Sequence, residues 1–465
     1  MESAVKKKNT IVIDEKTPLM VLAGPMFLET FLNVMVNNVD TMMLSHYDEY
    51  AVGAVGNANT IMFMMSILFS VIATATSVVV AQYLGAKRYD KMNMIYTLAV
   101  IVNLVLGVVL SAGFCAANPL IMNCLHVSDE MRPYAMIYVY IVGGGGFLIA
   151  VFNLMLQILR CNGYPKIGMY IILSINVINI GGNYLFLYGP LSSLNMGVAG
   201  VAISTVFART IAVIAVFVIF FAKKIGKISL SYMKPFPFRL LGKMVKIGLP
   251  TAGENLTYTL YQTMLLSFVN TMGNEAVCAR SYCNTLIDFA IIFSNAAAMS
   301  TQIITGHLVG AGKEEAAYKR VFKTLRTSMP ITIAMASINA LLCRYTLQIF
   351  TDNPDIIALG QMIMIVDIFV EIGRCLNLTF VCSLKAAGAY VFPLIMGLLC
   401  NWGLGLTTGY LFGVYMGFGV AGIFAGTAMD ECIRGLIVMY YWYKKKWFGK
   451  SVVEKNKKNV LEDVG

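Results

Sequence analysis

Apolar runs of about twenty residues recur from one end of this 465-residue chain to the other, with short polar stretches between them. A run of that length crosses the hydrocarbon core of a bilayer as a helix. In lipid, every backbone N–H and C=O must be satisfied within the segment that carries it. The pattern therefore predicts an all-α polytopic membrane protein. A membrane barrel would need alternating segments of ~10 residues instead. Composition points the same way: 58% of the residues are apolar and 13% charged, roughly half the charged share of a soluble domain.

Twelve runs are legible, at residues 17–43, 51–84, 94–117, 134–159, 167–188, 198–222, 247–272, 277–309, 324–346, 356–383, 391–413 and 418–443. The first is too long for a signal-peptide core and has no small-residue cleavage site, so it reads as a retained span. The connections are short except for 223–246, which contains Pro235, Pro237 and seven basic residues. This predicts a tail at 1–16, a first six-span half at 17–222, a basic linker at 223–246, a second half at 247–443 and a tail at 444–465. With the N-terminus inside, 29 Lys and Arg residues fall in the tails, the linker and the loops on its side, against Arg132 and Arg344 outside. The asymmetry of basic residues predicts that both termini are cytoplasmic.

The net charge of +11 is thus accounted for by membrane-edge anchors and predicts membrane lipid, not nucleic acid, as a partner. The ten cysteines sit mostly in apolar runs, as small packed hydrophobes do. His46, His126 and His307 are scattered. No metal-ligand spacing, nucleophile–base pair or phosphate loop appears, which predicts no enzyme, no cofactor and no metal centre. The glycine run Gly143–Gly146 reads as close helix packing.

The halves repeat. An offset of 225 aligns Pro25 with Pro250, Glu29 with Glu254, Asn59-Thr60 with Asn284-Thr285, Gly85-Ala86 with Gly310-Ala311, and Leu159 and Gly163 with Leu384 and Gly388. An offset of 222 aligns Gly197–Val201 with Gly419–Ile423. Six spans per half give both halves the same orientation, related by an axis along the membrane normal. Such a repeat commonly frames alternating access around a cavity near the midplane.

The first run carries a polar stripe. Glu29, Asn33, Asn37 and Asp40 fall within about 80° on a helix, with the two acids about 16 Å apart along its axis. The second half has its own polar faces: Glu254, Tyr258, Tyr261 and Gln262; Arg280, Asn284 and Asp288; and Asp367, Glu371 and Arg374. Asn176, Asn179 and Asn183 line the fifth run. Glu371 with Arg374, and Arg280 with Asp288 or a neighbour, are equally readable as self-neutralising pairs. The asparagines are equally readable as interhelical hydrogen bonds. Asp430, Glu431 and Arg434 read as structural. Ionised together at the bilayer centre, Glu29, Asp40, Glu254, Asp288, Asp367 and Glu371 would cost ~15–20 kcal/mol. Some of them must be protonated, hydrated or exchanging with a cation. A carboxylate that takes a proton, Na⁺ or a cationic substrate, one at a time, is a minimal antiport device. Asp40 stands apart, because the repeat places the apolar Leu265 opposite it.

Several features together resemble the MATE (multidrug and toxic compound extrusion) transporters. These are Pro25 followed by Val39-Asp40-Thr41-Met42-Met43, Gly85-Ala86 after the second run, Leu159-Arg160-Cys161-Asn162-Gly163-Tyr164-Pro165-Lys166, and Gly197-Val198-Ala199-Gly200-Val201-Ala202. The resemblance implies two six-helix lobes in a V around a central cavity. It implies export of small organic cations across the cell (inner) membrane, coupled to H⁺ or Na⁺, by a monomer. It implies a coupling-ion site at Asp40 with Asn179, Asn183 and Thr205, where Na⁺ would be the one metal ion held. Many members carry Asp where this chain has Asn183. A proton-coupled branch pairs the first-span acid with an arginine matching Arg280. The polar faces themselves offer a substrate or second cation site at Glu29, Asn33, Asn37, Glu254, Tyr258, Tyr261, Arg280, Asp288, Asp367 and Glu371, of which Glu254, Asp367 and Glu371 correspond loosely to the family's second-lobe acids. The alternative within the wider superfamily is a lipid-linked sugar flippase. Such proteins often have extra spans and a basic cavity, whereas this chain has twelve runs and acidic polar faces.

Overall fold

The structure is a computed structural model that describes residues 12–45, 49–124 and 127–453, with the backbone alone at Asn37, Asn38, Asp40, Thr41, Ser45, Glu49, Tyr50, Val52 and Cys124. His46, His126, the first eleven residues and the end of the C-terminal tail lie outside the described residues. Fourteen α-helices follow one another without a strand among the described residues: α1 (Leu19–Ser45), α2 (Glu49–Gly85), α3 (Met92–Cys124), α4 (Arg132–Tyr138), α5 (Gly146–Cys161), α6 (Pro165–Leu187), α7 (Gly197–Ala222), α8 (Phe238–Asn270), α9 (Asn274–Gly310), α10 (Glu314–Leu347), α11 (Pro354–Ala386), α12 (Val391–Leu398), α13 (Leu406–Tyr410) and α14 (Gly419–Tyr443).

Nine helical segments among the described residues are long and apolar enough to cross a bilayer, and the bent pair α4–α5 makes a tenth. Helices α8 and α14, 33 and 25 residues long, reach the same length. They are more polar, and α14 buries its charges: Asp430, Glu431 and Arg434 are all inside. The chain is an all-α polytopic membrane protein, and these segments correspond one for one with the twelve apolar runs.

Three runs differ in detail from continuous helices with the predicted bounds. Run 134–159 is broken: α4 ends in a wide turn at Val139–Gly143, and α5 leaves it at 45°. The glycines there also admit close neighbours. A Cβ on Gly146 would sit 2.7 Å from Ser111 Oγ, and one on Gly145 would sit 3.2 Å from a Val206 methyl. Run 391–413 is likewise interrupted by wide turns at Leu399–Gly405 and Leu411–Tyr415, on either side of α13. Such local widenings are frequent at functional sites. Helix α8 begins at Phe238, well before residue 247. Its first turns bury Leu240, Met244 and Ile247, spaced four and three residues apart on one face.

Residues Leu28–Val80 and Tyr89–Gly248 pack as one compact unit; Ile13–Phe27, Ala81–Arg88 and the described residues 249–453 pack as another. In the first unit, Met65, Phe69, Val139, Ala150 and Val201 form the core. The connection after α7 is tied down on α3, where Lys227 N donates to Asn93 Oδ1 (2.8 Å) and Ser229 N to Thr97 Oγ1 (3.3 Å). In the second unit, α11 is the central helix, packed against α9, α10 and α14. One core surrounds Tyr261, Leu265 and Val370, and a second surrounds Phe380, Trp442 and Trp447. The repeat extends to backbone conformation. Gly163 and Gly388, which follow α5 and α11, both take left-handed φ values, 81° and 90°, where a side chain would strain the turn.

Candidate functional site

In the first unit, Glu29 of α1 forms a buried ion pair with Arg160, in the last turn of α5. Gly168 on α6 leaves room for it: a Cβ there would stand 3.5 Å from Glu29 Oε2. The asparagines of α6 line one buried face, at 9%, 6% and 0% exposure for Asn176, Asn179 and Asn183. Asn179 Nδ2 donates to Thr205 Oγ1 on α7 (3.2 Å), and Ser204 Oγ donates to the Asn179 carbonyl (3.0 Å). Thr205 in turn donates to Val201 O (2.9 Å). Asn179 and Thr205 are therefore brought together as neutral oxygens and amides on adjoining helices, with Asn183 one turn further along the buried face of α6. Such oxygens suit a hard cation. Asp40 and Asn37 lie on α1, but their side chains are outside the described residues. Asn33 is exposed.

The second unit holds a denser arrangement. On α11, Glu371 pairs with Arg374 one turn away. On α14, Arg434 bridges Asp430 (3.1 Å) and Glu431 (2.8 Å). Asn377 Nδ2 donates to the second oxygen of Glu431 (3.0 Å). The Arg434 guanidinium stands 6.0 Å over the ring of Tyr258, within cation–π range. Tyr258 OH accepts from Gln262 Nε2 (3.1 Å), and Tyr261 OH donates to Thr427 Oγ1 (3.4 Å). Glu254 pairs with Lys385, at the end of α11, at 2.9 Å.

Asp367 lies beside these acids. It is 1% exposed, one turn before Glu371, and its Oδ1 has no hydrogen-bond partner. Glu371 Oε2 and Asp430 Oδ1 are also buried and unpartnered. An ionised oxygen held that way is costly unless a proton or cation joins it.

Sequence reasoning assembled part of this correctly. Glu371 and Arg374 do pair. Arg280 does not meet Asp288; its guanidinium reaches the backbone and side-chain oxygens of Gln262, each at 3.4 Å. Those two residues are eight positions apart on α9, and Asp288 is exposed while Arg280 is buried. The pattern missed the contacts of Arg160, Lys385 and Asn377, while the α14 trio, read as structural, forms ion pairs within itself. Arg160 and Lys385 sit at the ends of their apolar runs, where basic residues ordinarily anchor a span, yet the same offset of 225 that joins Glu29 to Glu254 joins them too.

The MatE family model matches residues 25–185 and again 250–411, once on each half of the repeat. The chain is 34% identical over 455 residues to the uncharacterized transporter YisQ of Bacillus subtilis, covering 97% of this chain and 100% of that one. It is 22% identical over 449 residues to the probable multidrug resistance protein NorM of Thermotoga maritima, covering 95% of each. Among solved structures, it superposes with TM-score 0.86 on a multidrug resistance MATE family transporter of the MOP superfamily in an outward-facing conformation, at 19% identity over 94% of this chain and 98% of that one. It superposes equally, with TM-score 0.86, on a MOP superfamily transporter from Pyrococcus furiosus, at 19% identity over 93% and 96%.

Proposed function

From the premise that the chain belongs to the MATE family of transporters, we propose that it is a cation-coupled antiporter that exports amphipathic organic cations by alternating access. The observation that carries this reading is the buried carboxylate of Asp367, with an oxygen that no neighbour satisfies. It belongs to a cluster in which Asp367, Glu371, Asp430 and Glu431 outnumber Arg374 and Arg434. A buried acid in that position takes a proton or a cation, and giving it up costs free energy that a gradient can supply.

In this reading, the second unit offers Glu254, Tyr258, Tyr261, Arg280, Asp288, Asp367 and Glu371 to substrate or a coupling cation. Aromatic faces supply apolar and cation–π contact, and carboxylates supply charge. The first unit offers Asp40 with Asn179, Asn183 and Thr205 to H⁺ or Na⁺, and Glu29, Asn33 and Asn37 extend the polar face of α1. One-for-one exchange of a monovalent drug for one proton moves no net charge. A second coupling ion would also draw on the membrane potential, at ~2.3 kcal/mol per charge per 100 mV. No covalent step is needed and no cofactor is implied.

The protein works as a monomer in the cell membrane with both termini cytoplasmic, in two lobes at 17–222 and 247–443 joined by the linker 223–246. Its partners are lipid and small organic cations, with no nucleic acid. The acid-rich cluster disfavours a flippase for lipid-linked pyrophosphates, whose cargo is itself anionic.

The test uses everted vesicles containing the wild type, Asp40→Asn or Asp367→Asn. Transport of a fluorescent cationic dye is followed after separate Na⁺ and pH jumps. Dye movement driven by one gradient in the wild type and lost in Asp367→Asn supports the reading. No dye movement under either gradient sinks it. Normal coupling in Asp40→Asn removes that residue from the coupling site.

A further inference from the structure

Gln82 lies on α2, one turn before the helix ends at Gly85, and it is fully buried. Its carboxamide joins three parts of the second unit. Nε2 donates to the Ala386 carbonyl at the end of α11 (2.5 Å), while Oε1 accepts from Ser451 Oγ (3.0 Å) and from Val452 N (2.7 Å). Ser451 and Val452 belong to the segment that follows α14. That segment turns back over the helix ends and is held along its length. The Trp447 ring stacks on Trp442 at 4.0 Å and 15°, with no exposure. Lys445 pairs with Glu315, and Gly449 N donates to Glu314 Oε1 (2.9 Å). Gly388 meets the carbonyl of Lys450 where a Cβ would collide.

The same end of α2 crosses the end of α9, backbone against backbone. A Cβ on Gly85 would overlap the His307 carbonyl, and a Cβ on Gly310 would overlap the carbonyl of Gln82. Gly85 with Gly310, and Gln82 with His307, are each related by the repeat offset of 225. The crossing therefore uses the same contact twice. The connection after α7 holds the place in the first half that the chain after α14 holds in the second, and it is tied to α3 as the strap is tied to Glu314 of α10.

We propose that Gln82 is a positioning residue that latches residues 444–453 onto the closed α2–α9 crossing, and that the latch releases when this end opens during transport. The proposal rests on the alternating-access reading above. A buried amide loses all its partners together once α2 leaves α11 and the strap, so opening of the crossing and release of the strap become one event. The strap weights the equilibrium toward the state in which the two helix ends touch.

Hydrogen–deuterium exchange tests this on full-length protein in lipid nanodiscs, followed in peptides covering 78–88 and 303–313. Gln82→Leu and Trp447→Ala are each expected to raise exchange in both peptides by roughly three- to tenfold, the scale of one or two lost buried hydrogen bonds. The double variant is expected to do no more than the larger single, because both break one latch. Unchanged exchange in either folded single variant, or independent addition of the two effects, overturns the proposal. Ser451→Ala removes one of the three bonds without touching a helix, and a flat result there also counts against the latch if Gln82→Leu fails to fold. Dye transport measured in parallel separates the two readings. Coupled exchange without dye movement in any chain leaves the latch and sinks the antiporter. Flat exchange with intact dye movement does the reverse.

Discussion

Lys385 holds Glu254 at 2.9 Å, and the same pairing occurs 225 positions earlier as Arg160 with Glu29. Duplication has thus preserved an acid one turn after a proline within the same helix and a base at the end of the helix before a left-handed glycine. Both pairs are largely shielded from water, and removing one partner strands the other charge. Arg160→Ala is expected to destabilise the protein by ~3–5 kcal/mol, while Glu29→Gln combined with Arg160→Met recovers most of that loss. Thermal unfolding of the purified variants checks it. Equal destabilisation in the single and double variants would show that packing, not charge, matters there.

Glycine substitutions should separate crowded positions from open ones. Gly113 in α3 has nothing within 4 Å of a built Cβ, so Gly113→Ala is expected to stabilise by ~0.5–1 kcal/mol through lower backbone entropy in the unfolded chain. Gly85→Ala and Gly310→Ala must push two helix backbones apart and are expected to lower the unfolding temperature. The three melting curves decide it.

Asp367→Asn keeps the shape of the side chain and removes a buried charge that has one unpartnered oxygen. It is expected to leave thermal stability unchanged or higher while lowering gradient-driven dye transport at least about tenfold, or ~1.4 kcal/mol. A parallel fall in stability and transport would mark the residue as structural instead.

Asn183→Asp adds a carboxylate to the buried face that carries Asn179 beside Thr205. In the proposed site, it should bind Na⁺ more tightly than the wild type does. The rise in unfolding temperature on adding NaCl, measured against choline chloride, is expected to be larger in the variant. Equal shifts would place the coupling ion elsewhere.

Much of the architecture was legible before any coordinates. The apolar runs correspond to the spanning helices, because the requirement that lipid places on a backbone is local to each segment. The repeat was legible because Pro25 and Pro250, or Gly163 and Gly388, serve the same backbone purpose in each half. The wide turns at Leu399–Gly405 and Leu411–Tyr415 were not legible, since hydropathy is blind to whether a helix closes its hydrogen bonds at four residues or five. The site was half legible. Helical spacing paired Glu371 with Arg374, but it could not choose between Asp288 and another neighbour for Arg280, which reaches Gln262 on α8.

The sequence by itself determined the class of protein, the number and order of its spans, its internal duplication and the residues too polar to be there without cause. Only the tertiary structure decided which of those residues are satisfied. Arg160 reaches Glu29 across 131 positions of chain, Gln82 reaches Val452 across 370, and Asp367 is left with an oxygen no one meets. The hydrophobic preference of a segment is a sum over its own residues. The cost of a buried charge depends on what other helices bring within ~3 Å of it, and packing alone sets that.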